Sequence, residues 1–232
     1  MPVITIAREY GAGGAEIACD LARELGAEIC DRSLIAEVAR RTRLPPEEVA
    51  AEDELGRSLP DRILRTFVPV GEAAAGWAID PVELVDRHVL VERITRVALR
   101  EAARSGNAVI VGRGGASELR DEPTAYHVFL WAPEPDRVRA VRERLACDEA
   151  TARRTIHRID ASRSSYVHEV YGVDWRDPHL YDLVLNTGRL GHAASVAAIL
   201  GAVGARRMLR RSGATEAAEP VQDRNAVTAS RA

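Results

Sequence analysis

The 232-residue chain has no lysine, so all 32 basic residues are arginine, and against 35 acidic residues they leave a net charge of −3. That near balance gives no overall electrostatic reason to expect nucleic acid as a partner. It also weakens any single arginine as a functional clue. Cysteine is scarce: Cys19, Cys30 and Cys147 show no C-x-x-C spacing, which argues against a disulfide framework or a thiolate zinc site and fits a reducing cytoplasm. No apolar run approaches the stretch of about 18 residues that a bilayer span needs. Met1-Pro2 leads straight into a strand-like segment, so the expectation is neither export nor membrane insertion. With 46% hydrophobic residues, a chain of this length can bury a proper core as one domain.

Short apolar runs alternate with longer amphipathic segments. Val3 to Ala7 reads as a first strand, followed by a helix whose buried face is Ile17, Leu21 and Leu25 and which Gly26 stops. Ala27 to Cys30 is a short second strand, after which Asp31 and Ser33 offer capping oxygens for a helix through about Arg41. The charged, irregular stretch to Gly76 looks like an insertion. Pro81 to Ser105 reads as a long helix carrying Val82, Val85, Val89 and Ala98 toward the core. Ala108 to Val111 and Tyr126 to Trp131 lack polar alternation, as expected of central parallel strands covered on both faces. Leu183 to Asn186 is the fifth strand, leading into a helix that ends near Gly204. The pattern predicts an α/β fold: a five-stranded parallel sheet with helices on both faces and ligands at the carboxyl ends of its strands. In residue terms this is one domain over 1–204, with a helical insertion over 33–105 and an arginine-rich region over 147–176. The polar remainder, 205–232, reads as a disordered tail.

The motifs stand at those strand ends. Gly11-Ala12-Gly13-Gly14 follows the first strand and opens a helix, the arrangement in which exposed amides and the helix dipole cradle a phosphate. In the usual G-x-x-x-x-G-K-[ST] loop a lysine reaches the outer phosphates and a hydroxyl holds magnesium. Here those places hold Gly14 and Ala15. A plain turn and a dinucleotide-binding loop are the alternatives. For the latter, Asp31 stands about 20 residues on, but Glu16 replaces the third glycine and the second and third strands lie too far apart for a compact βαβ unit.

Asp31-Arg32-Ser33 reads equally as a helix cap or as a contact to a second nucleotide. Gly112-Arg113-Gly114-Gly115 brings an arginine to the ligand edge of a buried strand, which favours phosphate binding because a buried guanidinium without an anion is costly. Val111 occupies the place where a magnesium-holding carboxylate is expected. In the run from Arg153 to Arg163, Arg154 and Arg158 share a helix face, with Asp160 and Arg163 at its end. That run is either a solvated surface or a lid whose arginines close over a transferring phosphoryl group. His157, His168 and His179 read as surface or packing residues.

Together, Ile4 to Gly14, Cys30-Asp31-Arg32, Val109 to Gly114 and Tyr181 to Thr187 resemble the cytidylate kinase-like family, a branch of the P-loop nucleoside monophosphate kinases. The resemblance runs from about Val3 to Leu200. It implies a nucleotide-binding insertion, an arginine lid before the fifth strand, and phosphoryl transfer from ATP to a nucleoside monophosphate such as CMP. By that resemblance Gly11, Ala12, Gly13, Gly14 and Ala15 line the donor phosphates, while Arg113 and Arg32 face the acceptor. Arg154, Arg158 and Arg163 are lid candidates, with Asp160 orienting them or touching base or sugar. Magnesium is implied too, though no protein ligand for it is recognisable. The branch usually carries arginine where Ala15 stands, and this chain has lost it. Removing one preorganised donor typically costs on the order of 10² to 10³ in rate, so a substitute cation is needed, and Arg8 is the candidate. Glu16, in the first helical turn, competes with phosphate for the same dipole. A non-catalytic nucleotide-binding module with a degenerate loop is the other functional reading.

Overall fold

A computed structural model describes residues 2–30, 32–43, 45–46 and 81–211, with backbone alone for 32–35, 81–88 and 210–211. Asp31, the Arg32 side chain, most of the 40–76 stretch, the side chains of Val82 and Val85, and 212–232 therefore lie outside the described residues.

Five strands, β1 (Val3–Arg8), β2 (Glu28–Cys30), β3 (Ala108–Val111), β4 (Ala125–Trp131) and β5 (Leu183–Asn186), form one sheet in the order β2-β3-β1-β4-β5. All its pairings are parallel. The helices are α1 (Gly14–Leu25), α2 (Arg32–Thr42), α3 (Pro81–Ser105), α4 (Gly115–Glu118), α5 (Glu134–Leu145), α6 (Glu149–Tyr171), α7 (Thr187–Leu190) and α8 (His192–Arg211).

Strand alternation splits the core in two. Ile4 and Ile6 point to the face where Ile17 and Leu21 of α1 meet Val196, Ile199 and Val203 of α8. Val3 points to the other face, where it joins Val38 of α2, Leu99 of α3 and Ile110 of β3. Because both faces are covered, the central strands carry almost no polar side chains, and burying each large aliphatic residue contributes roughly 1.5–3 kcal/mol.

Two local expectations differ. Among the described side chains of α3 the buried ones are Val91, Thr95, Ala98, Leu99 and Ala103, whereas Val89 is exposed. The helix rotates so that the 91/95/98 stripe faces the sheet. The last helix also runs past Gly204 to Arg211. One glycine costs a helix only about 1 kcal/mol, and Arg206 fixes the extra turn by donating from Nη1 to the Ala125 carbonyl at 2.9 Å and pairing with Asp182 at 3.2 Å.

Candidate functional site

The site grows from the carboxyl ends of β1 and β3, which are hydrogen-bonded neighbours at the point where the strand order reverses, so their two following turns open onto one crevice. After β1 the chain turns through Gly11-Ala12-Gly13, and Gly13, at φ 75°, caps α1. After β3, Gly112, Arg113 and Gly114 all take left-handed backbone angles, φ 77°, 55° and 64°. For arginine that conformation is uncommon and costs energy. It leaves Arg113 only 5% exposed at the sheet edge.

Arg8 joins the two turns. Its stem crosses Gly14, and its guanidinium lies on Gly112, where a Cβ would stand 2.1 Å from Nη1. Neither position could carry a side chain without displacing it. Arg8, Arg113 and Arg163 line one cleft of about 620 Å³, counting its open mouth, together with Gly114, Gly115 and an aromatic wall of Tyr166, Trp175 and Tyr181. Trp175 meets Phe129 edge to face at a centroid distance of 5.6 Å, and Tyr181 donates its hydroxyl hydrogen to the Trp175 carbonyl. Burial pushes the Tyr181 phenol well above its ordinary range, so it stays protonated and can keep that bond.

The glycine turn is anchored from α6. Asp160 accepts from the Tyr10 N–H at 2.8 Å and from Arg137 Nη1 at 2.6 Å. Arg137 also reaches the Tyr10 carbonyl at 3.4 Å and pairs with Glu9 at 3.4 Å. Arg163 donates to the Arg8 carbonyl at 2.8 Å. From the β5 side, Thr187 donates to the Ala12 carbonyl at 2.9 Å. Four side chains from three helices thus fix the turn that would face phosphate, and this kind of preorganisation lets donors act on an anion without reorganising.

Of the residues singled out by sequence, the structure brings Arg8, Arg113 and Arg163 into one cleft and places Gly11, Ala12, Gly13 and Gly14 in the adjoining turn. Ala15 and Glu16 are exposed at the start of α1. Arg154 and Arg158 are exposed on α6 away from the cleft lining, and Arg154 donates to Thr151 at 2.9 Å. Asp160 faces the turn and Arg137, and of the arginines of its own run it pairs with Arg163, at 3.9 Å. The histidines lie as expected, His157 and His179 being exposed.

Sequence reasoning missed Glu9, Arg137, Arg176 and the aromatic wall. One signal was available. Four of the ten aromatic residues, Tyr166, Tyr171, Trp175 and Tyr181, crowd into one short segment of an aromatic-poor chain. Arg137 sits within a helix full of arginines and had no such mark.

Over residues 3–189 the chain matches the Cytidylate kinase-like family. It is similar to the cytidylate kinase of Methanopyrus kandleri, 38% identical over 98 residues that cover 39% of this chain and 51% of that protein, so the chain spans about half the length of that relative. With the cytidylate kinase of Halobacterium salinarum it shares 29% identity over 173 residues, 72% of this chain and 90% of the other. A solved structure of an uncharacterized protein from Eubacterium ventriosum has the same fold, with a TM-score of 0.64 at 21% identity, covering 89% of this chain and all of that one. A parallel sheet with a glycine turn and an arginine turn side by side at its ligand edge, within a match that covers most of its length, makes this chain a member of the cytidylate kinase-like family.

Proposed function

We propose that the protein transfers a phosphoryl group from ATP to a nucleoside monophosphate of the CMP type or a similarly small phosphate acceptor. The observation that carries this reading is the bridge formed by Arg8 from the glycine turn to the turn after β3, with Arg113 and Arg163 in the same cleft. Donor phosphates would lie on the amides of Gly11 to Ala15. Arg8 would supply the cation that Gly14 and Ala15 do not. The acceptor phosphate would meet Arg113, with Arg32 on the acceptor side, and the aromatic wall would hold the acceptor body. Arg163, and Arg154 and Arg158 if α6 moves, would offset charge on the transferring group, and Asp160 would keep the turn and Arg163 in place. Phosphoryl transfer depends on positioning and electrostatics more than on a strong base, so the exposed histidines are not required.

Magnesium, when bound with ATP, would neutralise phosphate oxygens. The side chains present do not fit a protein-held ion: Ala15 has no hydroxyl, Val111 no carboxylate, and among the described residues no group of three His, Cys, Asp or Glu could hold a metal.

Release of ADP across a panel of monophosphates tests the proposal, with the highest kcat/KM expected for CMP. Clear ATP binding with no turnover of any monophosphate would defeat it in favour of a non-catalytic nucleotide-binding regulator. The exposed Ala15 and the buried Val111 favour that second reading, and calorimetry with ATP in the presence of each monophosphate separates the two.

A further inference from the structure

Resting on the kinase reading, we propose that Arg176 is a further phosphate-contacting residue, one that meets the terminal phosphate of the donor nucleotide and is parked against two carboxylates until that phosphate arrives. Arg176 lies in the segment between α6 and β5, outside the arginine run of α6. Its Nη2 stands 3.0 Å from Glu9 Oε1 and 3.5 Å from Asp160 Oδ2, and its Nε donates to the same Glu9 oxygen at 3.1 Å. Glu9 stands two residues before Gly11, and Asp160 holds the Tyr10 amide. The guanidinium is thus already at the mouth of the glycine turn. Its ring-side neighbour is Trp175, whose face it covers at 5.2 Å and which forms part of the cleft wall.

The charge arrangement makes Arg176 the movable member. Glu9 and Asp160 are 11% and 7% exposed, and each already pairs with Arg137, itself 9% exposed. Asp160 has Arg163 in addition, at 3.9 Å. Two carboxylates therefore face three guanidinium groups, and neither is left bare when Arg176 departs. Arg176 is the exposed one, at 48%, so it regains water when it leaves, while Arg137 stays behind to offset both carboxylates. A terminal phosphate offers a planar fork of N–H donors a more highly charged partner than a carboxylate does. Arg154 and Arg158, by contrast, stand on the solvent side of α6.

The test is calorimetric titration of the full chain with ATP and with ADP, since only ATP carries the phosphate in question. In Arg176→Ala, ATP binding is expected to weaken about tenfold, the scale of one charge-assisted hydrogen bond. ADP binding and Tm should stay close to wild type. Arg176→Gln, which can still hydrogen-bond Glu9, should lose the same ATP preference. Added guanidinium should restore part of it to the alanine variant. ATP and ADP weakened alike would mean that Arg176 merely braces the turn, and affinities unchanged in both variants would equally overturn the proposal. A wild-type protein that binds neither nucleotide would instead sink the kinase reading itself.

Discussion

Arg8 occupies the space that a side chain at position 14 would need: a Cβ there would stand 2.7 Å from Arg8 Cγ and 2.9 Å from Arg8 Cβ. The missing loop lysine and the presence of Arg8 are thus two sides of one packing arrangement. Gly14→Ala should destabilise the wild type by about 1–3 kcal/mol, as overpacking does. In an Arg8→Gly background, which removes both of those atoms, the same change should cost far less. A double-mutant cycle by urea denaturation reads the coupling, and additive costs would refute the shared space. Gly14→Lys should weaken ATP binding, because it displaces the cation already there.

Arg113 is held buried in a left-handed conformation, an arrangement that packing alone does not explain. Arg113→Ala should lower kcat/KM for the acceptor by about 10² or more with little change in ATP affinity. Steady-state kinetics with each substrate varied in turn checks this. Unaltered acceptor kinetics would remove Arg113 from the site.

Asp160 ties α6 to the glycine turn and neutralises Arg137. Asp160→Asn keeps a hydrogen-bonding oxygen but strips the charge from a buried pair, which typically costs about 3–5 kcal/mol. Differential scanning calorimetry should show Tm lower by about 6–20 °C, together with weaker ATP binding as the turn loosens. An unchanged Tm would show that Arg137 finds its counter-charge in Glu9 alone.

His127 is buried on β4, with its Nδ1 2.7 Å from Thr5 Oγ1, and burial lowers its pKa below 6.5. The unfolded chain therefore takes up a proton on this group at a higher pH than the folded one does. Its contribution to stability is full above about pH 6.5 and is lost as the pH falls below that value, with a slope of at most about 1.4 kcal/mol per pH unit. Chemical denaturation from pH 7.5 to 5 should show this decline, and His127→Gln should flatten it. A variant whose decline matches wild type would assign the titration elsewhere.

The layers of the fold were legible because they follow from short-range physics. Ile17 and Leu21 recur on one helix face, and Val109-Ile110-Val111 lacks polar alternation because it is covered on both sides. The glycine turn and Arg113 were visible for the same reason: a strand, a glycine and a polar residue in sequence mark the ligand edge. Val89 was misread because α3 carries apolar residues on more than one side: Val89, Leu90 and Val97 are exposed beside the buried 91/95/98 stripe, so either side fits a helical pattern. Arg137, Arg176 and Glu9 were not legible at all. Nothing in an arginine-rich helix reveals that one guanidinium will be buried against carboxylates distant in sequence.

The amino-acid sequence alone determined a parallel α/β sheet, a glycine turn without lysine, and arginines at the strand ends, since local periodicity and the conformational freedom of glycine act within a few residues. Only the tertiary structure decided which arginines matter together. Arg8 reaches Gly112, Arg137 meets Asp160, and Arg176 meets Glu9 because the order β2-β3-β1-β4-β5 brings the ends of distant strands side by side. Ion pairs and close packing are set by distance in space, which one-dimensional spacing does not encode.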